Sequence, residues 1–454
     1  MVMRKVVITL VASVPALFIA FLATLNPPSV RAVPSFARQT GLPCSGCHTT
    51  PPELNAAGRK FKLMGYVDKD KEKKGITSDA KGRHAALDML ASLPLSVLFE
   101  TSLTATNSPQ PGTQNGNFEF PQDVSLFLAG AWTTHVGSLL QVTYDAQDDH
   151  FSIDNTDVRY ANKRNVGGKE LVYGLTLNNN PTVEDLWNDT PAWGFPWIAS
   201  DSAPTPTATP IIDGALGQDV AGLGGYAMWD NHLYGDLTVY RSDHIGISQP
   251  NSGSGSAYNI RGVAPYWRVA WEQSTPTTEF EVGTYGIHME STPGAVVGLK
   301  DGYTDWAADF QYDRTVRRKD VFSLRGTFID ENSNLIATYN ALGAQQTKHH
   351  LDTILANAEY HFGNRYSATF GWFDTGGTVD PLLYTQSALT GSANGNPRGA
   401  GYNLNFSYWP MQNLDLAVQY TGYTRFNGAA INYDGAGRNA SGNNTVYLLA
   451  RFVF

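Results

Sequence analysis

The sequence predicts an all-β transmembrane barrel of about 16 antiparallel strands, preceded by a small N-terminal segment of mainly α or irregular structure that plugs it. Three observations predict this. Charged residues make up only 16% and aromatics 12% of the 454 residues, with 44 Gly, against about 25% charged in ordinary soluble domains. From residue 93 onward, apolar residues recur with a period of two over segments of roughly 8 to 13 residues, longer than soluble strands usually are. The chain also ends on an alternating strand, Thr445 to Phe454, with Val446, Leu448, Ala450, Phe452 and Phe454 on one face and Arg451 on the other. The low charged fraction and the net charge of -9 exclude a nucleic-acid binder, which needs basic surface. Aromatics this frequent need packing partners, which excludes a disordered acidic chain.

Taken from the N-terminus, residues 1–32 read as a signal peptide: Arg4 and Lys5 precede an apolar run from Val6 to Leu25, and Val30-Arg31-Ala32 offers small residues for cleavage. An uncleaved anchor is the alternative, since the run is long enough to span a membrane. Residues 33–75 carry the chemically distinctive motif, and 76–92 form a linker with a short helix from Ala80 to Ala91. Residues 93–454 are the barrel. Residues 33–90 hold ten basic and six acidic groups, a net of +4, whereas residues 91–454 carry -16. Close packing between the two parts is therefore electrostatically favoured.

Both cysteines of the chain lie in Cys44-Ser45-Gly46-Cys47-His48. A CxxCH run in an exported protein reads as covalent attachment of one haem c, with two thioethers from Cys44 and Cys47 and the proximal imidazole from His48. A thioredoxin-like dithiol needs a helix start within a βαβ pattern, and none surrounds the motif. Met64, sixteen residues on, is the candidate distal ligand, with Met89 and His84 as rivals. A thioether there would raise the iron potential, although a lone Met is commonly a core filler. Asn55-Ala56-Ala57-Gly58 begins or turns a short helix. Phe36, Phe61 and Tyr66 would pack on the porphyrin, and Arg38, Arg59, Lys60 and Lys62 could pair with its propionates or remain solvated.

In the barrel, strands are expected to start at Leu93, Asp123, Gly137, Phe151, Lys169, Val220, Leu233, Arg261, Thr278, Tyr303, Asp320, Leu351, Tyr366, Gly401, Leu414 and Thr445. Tyr226, Trp229, Tyr266, Trp267, Trp271, Trp306, Trp372, Tyr408, Trp409 and Tyr420 are expected near strand ends, as interfacial girdles. A soluble β-sandwich would place the same residues in its core. Asn231-His232 and Pro410 to Asn413 read as short periplasmic links. Asn178 to Asp219, Gly246 to Asn259, Thr375 to Gly399 and Asn427 to Asn444 read as long loops. The first of these is either an external cap or a segment folded into the pore.

The run Pro34-Ser35-Phe36-Ala37-Arg38-Gln39-Thr40-Gly41-Leu42-Pro43-Cys44-Ser45-Gly46-Cys47-His48, continued by Pro52 to Tyr66, closely resembles the fused monohaem cytochrome-porins of iron-oxidising bacteria. The specific likeness covers residues 34–66, and the remainder agrees in length, pattern and order. The resemblance implies haem c on Cys44, Cys47 and His48 with Met64 as distal ligand, in a barrel of the bacterial outer membrane entered from the periplasmic side. It implies electron transfer from extracellular Fe(II), or another external donor, to a periplasmic cytochrome or copper protein, an Fe(II):cytochrome c oxidoreductase activity. Glu184, Asp185 and Asp189 could attract Fe(II), although a solvated acidic loop is the plainer expectation. Outward electron transfer to an external partner, or a diffusion porin with a gating haem segment, are the alternative readings.

Overall fold

Alternation with a period of two forces successive side chains to opposite faces of a strand, so a closed sheet built from such segments has one uniform outer face and one inner face. The computed structural model describes residues 35–68, 94–243, 258–294, 297–317, 319–363 and 365–454. The expected signal peptide, the linker with its helix, and His84 and Met89 lie outside them. Among the described residues, β1 (Leu95–Thr106) pairs with both β17 (Thr445–Val453) and β3 (Asp123–Ala131), which closes the sheet. Every other long strand pairs antiparallel with its neighbours in sequence.

The three-residue β2 (Asn117–Glu119) pairs with the upper half of β1 while β3 pairs with the lower half. Together β2 and β3 make one strand interrupted at Phe120-Pro121, where proline has no N–H to give to the ladder. The barrel thus has the sixteen strands expected. Nine begin at the expected residue, among them β6 (Lys169–Asn178), β7 (Val220–Trp229), β8 (Leu233–Ser242) and β10 (Thr278–Ser291). The others begin within three residues of it, as β9 (Ala264–Ser274) and β13 (Lys348–Phe362) do.

An even strand count brings the first and last strands back to one rim. That rim carries only tight links, including 230–232, 275–277 and 412–413, while the long connections 179–219, 378–398 and 426–444 all lie at the other. Burial is inverted relative to a soluble protein. Leu237, Leu175, Leu223, Val282, Phe370 and Phe406 are exposed on the outside, whereas Asp157, Arg159, Arg268, Glu281, Asp309 and Arg325 are buried within. A soluble sandwich places such groups the other way round. An apolar exterior around a polar interior is the pattern of an outer-membrane barrel, and Arg451 faces the lumen as expected, beside Asp415 at 3.3 Å. Trp271, Trp306 and Trp372 point outward, but Tyr226 and Tyr266 are buried. Their positions in the alternation put them on the lumen face, so they form no girdle.

The outward face predicts an asymmetric response to charge. Leu237→Arg, on the lipid face of β8 at 62% exposure, should destabilise the barrel by about 2–4 kcal/mol near the bilayer midplane. Thr238→Arg meets a polar lumen and carries no such lipid cost. Reversible denaturant unfolding in lipid vesicles measures the first effect. An unchanged Leu237→Arg midpoint would contradict the membrane assignment.

Candidate functional site

Sixteen strands enclose a lumen wide enough for an aqueous channel, and here two segments of the chain fill it. Residues 35–68 enter at the tight-turn rim, and the loop 179–219 folds inward from the opposite rim. Of the two expectations for that loop, insertion into the pore is the one observed. It crosses the lumen: the Ala199 carbonyl accepts from Gln122 Nε2 at 3.2 Å on one side. Farther along, the Ile211 and Ile212 amides donate to Glu331 and Asp305 at 2.7 and 2.9 Å.

The plug begins with α1 (Ser35–Thr40) and continues through a 3-10 turn over Cys44–Gly46 to α2 (Ala56–Leu63). Asn55 caps α2, accepting from the Ala57 and Gly58 amides at 3.0 and 3.1 Å, as the sequence suggests. Gly58 explains how α2 lies against the cysteine turn. A Cβ at that position would stand 2.2 Å from the Cys47 carbonyl oxygen, so no larger residue permits this approach. Gly137 of β4 (Val136–Asp145) plays the same part on the wall, where a Cβ would meet the Gly65 carbonyl at 2.4 Å.

Charged contacts tie the plug to the barrel. Arg59 is 3.0 Å from Glu272 and 2.8 Å from Glu279. In the opposite sense, Glu53 of the plug is 2.6 Å from Arg325 of β12 (Asp320–Leu335). Lys62 donates to the Val183 carbonyl and to Asn188 Oδ1, both at 2.7 Å, so α2 also grips the inward loop. Arg38 donates to the Leu95 carbonyl. Arg59 and Lys62 are thereby committed to protein partners rather than to propionates. Phe36, Phe61 and Tyr66 pack on one another with centroids 5.1 to 6.2 Å apart, and Tyr66 donates to Asp157 at 2.7 Å.

The Cys44–His48 turn faces a different sector, the wall around β13, β15 (Gly399–Met411) and the tight turn at Gln412. The Cys44 amide donates to Gln412 Oε1 at 3.2 Å, and Thr50 donates to Glu359 at 2.6 Å. Two neighbouring cavities of about 280 and 650 Å3 are each lined by both Cys44 and His48, together with Pro51, Trp409 and Gln412. The larger of the two is in the size range of cofactor sites. The donor set suits a covalently attached haem. Both thiols are free and half-buried, and Cys44 lines this space directly. His48 Nδ1 lies 3.1 Å from the Glu53 carbonyl, an arrangement that orients the ring and leaves Nε2 for a metal. Burial pushes the His48 imidazole below its usual pKa, opposed by the Glu53 and Pro52 carbonyls, so the neutral ligand form is favoured. Burial likewise raises both thiols.

Met64 is not brought to that space. It is 7% exposed in an apolar cluster with Val172, Trp187, Tyr226, Met228 and Tyr234, on the β6–β8 side, and it lines none of the described cavities that His48 lines. The residue that spacing did not reveal is His361 of β13. It lines two cavities shared with His48, with Nδ1 3.1 Å from Thr50 Oγ1 and its ring 5.3 Å from that of Trp409. Met411 lines the smaller of the two cavities shared by Cys44 and His48. Only barrel register places these strand residues opposite the motif. Glu184, Asp185 and Asp189 need correction as well. They are not a solvated external loop: Glu184 and Asp185 are buried and the Asp189 side chain is enclosed in the lumen, because the loop carrying them turns inward, and Asp185 pairs with Arg268 at 3.2 Å.

No protein-family model matches the chain, and no curated protein matches it significantly. Among solved structures it is similar to OmpT, an outer membrane protein of Vibrio cholerae, at 9% identity and TM-score 0.44, over 84% of this chain and 100% of that one. It is also similar to the outer membrane channel DcaP of Acinetobacter baumannii, at 12% identity and TM-score 0.46, over 79% of this chain and 96% of that one. An anion-selective porin from Comamonas acidovorans gives 11% identity and TM-score 0.46, over 79% of this chain and 98% of that one.

Proposed function

We propose that this chain carries electrons across the bacterial outer membrane, taking them from extracellular Fe(II) and delivering them to a periplasmic cytochrome or copper protein. One observation carries the reading: the Cys44–His48 motif is held inside a membrane-spanning barrel, at its tight-turn mouth, beneath a loop that crosses the lumen. Haem c on Cys44 and Cys47, with His48 as proximal ligand, would supply one-electron transfer without atom transfer. The chain's own residues do the rest. Arg59, Glu53 and Lys62 hold the motif at the wall, and the inward loop separates it from the long-loop rim. Among the side chains that line the cavities beside Cys44 and His48, His361 and Met411 have the chemistry that could supply a second axial ligand to a bound haem, whereas Met64 packs in the apolar cluster with Trp187 and Tyr226. Oxidation at the outer side would leave insoluble Fe(III) outside the cell, which favours Fe(II) as donor and an inward direction.

A second reading is a porin-type channel whose N-terminal segment gates or stabilises the pore. The cavity of about 260 Å3 between the inward loop and the wall and the one of about 650 Å3 beside the plug favour it, since small solutes could traverse such spaces if the plug moved.

Anaerobic intact cells treated with polymer-bound Fe(II), which stays outside, separate the readings. The electron-transfer reading expects reduction of the haem band in cells with the native chain and none with Cys44→Ala/Cys47→Ala. No reduction of native haem by external Fe(II), with an external oxidant instead drawing electrons out, would reverse the direction. No response to either would leave the channel reading. Separately, Met64→Ala should weaken plug docking by about 2–5 kcal/mol, as a buried truncation does, and leave the haem spectrum unchanged. A switch of spin state would make Met64 a ligand after all.

A further inference from the structure

Where the inward loop meets the wall just above α2, the barrel buries more negative than positive charge. Arg268 of β9 donates to Asp309 of β11 (Asp301–Arg317) through Nη1 at 3.0 Å and Nη2 at 2.7 Å. The same Nη2 is 3.2 Å from Glu281 Oε1 and 3.2 Å from Asp185 Oδ1. Asp185 completes its partners within the loop, accepting from the Asp189 amide at 3.1 Å and from Thr190 Oγ1 at 3.3 Å. Asp189 and Glu281 are different. Both Asp189 carboxylate oxygens and Glu281 Oε2 are buried with no hydrogen-bond partner, and these side chains are only 2% exposed. The nearest guanidinium nitrogen stands 4.0 Å from Asp189. One guanidinium therefore serves four carboxylates, while the neighbouring Arg325 is engaged by Glu53 and Asp313.

Unpartnered buried carboxylates are costly, and a cation or protons must compensate them. Oxygen atoms of Asp189, Glu281 and Asp309 all lie within 4.8 Å of one another, a spacing that a single ion can bridge. Gly283, on the same lumen face as Glu281, lets the cluster close up over the backbone: a Cβ there would stand 2.6 Å from Glu281 Oε1, 2.7 Å from Asp309 Oδ1 and 3.1 Å from Arg268 Nη2. Asp189 also lines the 260 Å3 cavity between loop and wall, which offers a route in. We infer that Asp189, Glu281 and Asp309 form a lumenal binding site for one divalent metal cation. An all-oxygen, carboxylate-rich set selects a hard ion of the magnesium, calcium, manganese or ferrous kind over a soft one. The ion would tie the inward loop, through Asp189, to the wall, through Glu281 and Asp309. This inference does not rest on the haem reading, because none of the three residues belongs to the Cys44–His48 turn or lines the cavities that turn faces.

Mn(II) is the probe. Full-length protein in detergent is stripped with a chelator and titrated with Mn(II), with the free-ion signal followed by electron paramagnetic resonance. The native chain should remove one equivalent tightly. Asp189→Asn and Glu281→Gln should each weaken that binding at least tenfold, whereas Asp330→Asn should not, since Asp330 belongs to a separate group with His350 and Asp352 at the long-loop rim. Far-UV circular dichroism and heat-modified migration verify that each barrel is closed. If one carboxamide variant fails to close, the other, or Gly283→Ala, decides the matter. Mn(II) retained at native affinity in closed Asp189→Asn or Glu281→Gln barrels would overturn the site. So would native protein that takes up no tight equivalent, which would mean that protons neutralise the cluster.

Discussion

A charge enclosed in a membrane barrel has to find a partner inside it, and that requirement organises this molecule. The outer face is committed to apolar contact, so the ionic groups buried in the strands, among them Asp157, Arg159, Arg268, Glu281, Asp309 and Arg325, are directed inward. There they would face either water or another part of the chain. Here they meet the chain. Arg59 of the plug is received by Glu272 and Glu279, and Glu53 is received by Arg325. Losing one member of such a pair strands the other in a low-dielectric site, at a cost of about 3–5 kcal/mol. These contacts fix the plug to the wall in one orientation, and that orientation points the cysteine turn toward β13 and β15.

The inward loop extends the same logic. Lys62 reaches its carbonyls and Asn188, while the loop returns an amide from Asn188 to the Pro52 carbonyl at 2.9 Å. Trp187 donates to Glu272 at 3.0 Å, the carboxylate that also receives Arg59. Plug, loop and wall thus share partners, so none of the three is positioned independently of the others. A segment of this size has little core of its own. Burial of Leu63 and Met64 against Trp187, Tyr226 and Met228 supplies one.

The barrel was legible because its signal is local. Alternation, turn residues and strand length place β3, β6, β7, β8 and β17 at their first residues, and the cationic N-terminal segment against an anionic barrel foretells the sign of the docking. The CxxCH motif and the Asn55 cap are equally local. What escaped the sequence depends on register across the lumen. Tyr226 and Tyr266 look like girdle residues until the alternation is anchored to one face. His361 is an ordinary strand histidine until the closed sheet sets it beside Thr50. Glu184, Asp185 and Asp189 resemble any polar loop, because nothing in their own neighbourhood states that the loop turns inward. Met64 has suitable spacing from His48, but a helix end has two sides, and the apolar cluster claims this one.

The claim on which the account rests is that residues 35–68 and the inward loop together obstruct a barrel otherwise wide enough to conduct. Single-channel recording of the full-length protein in a planar bilayer tests it most directly. The account predicts a barrel that inserts without opening a steady porin-sized current in moderate salt. A stable, wide, ohmic conductance from the intact chain would contradict it, because a freely conducting lumen cannot also hold the cysteine motif against β13 and β15 as described.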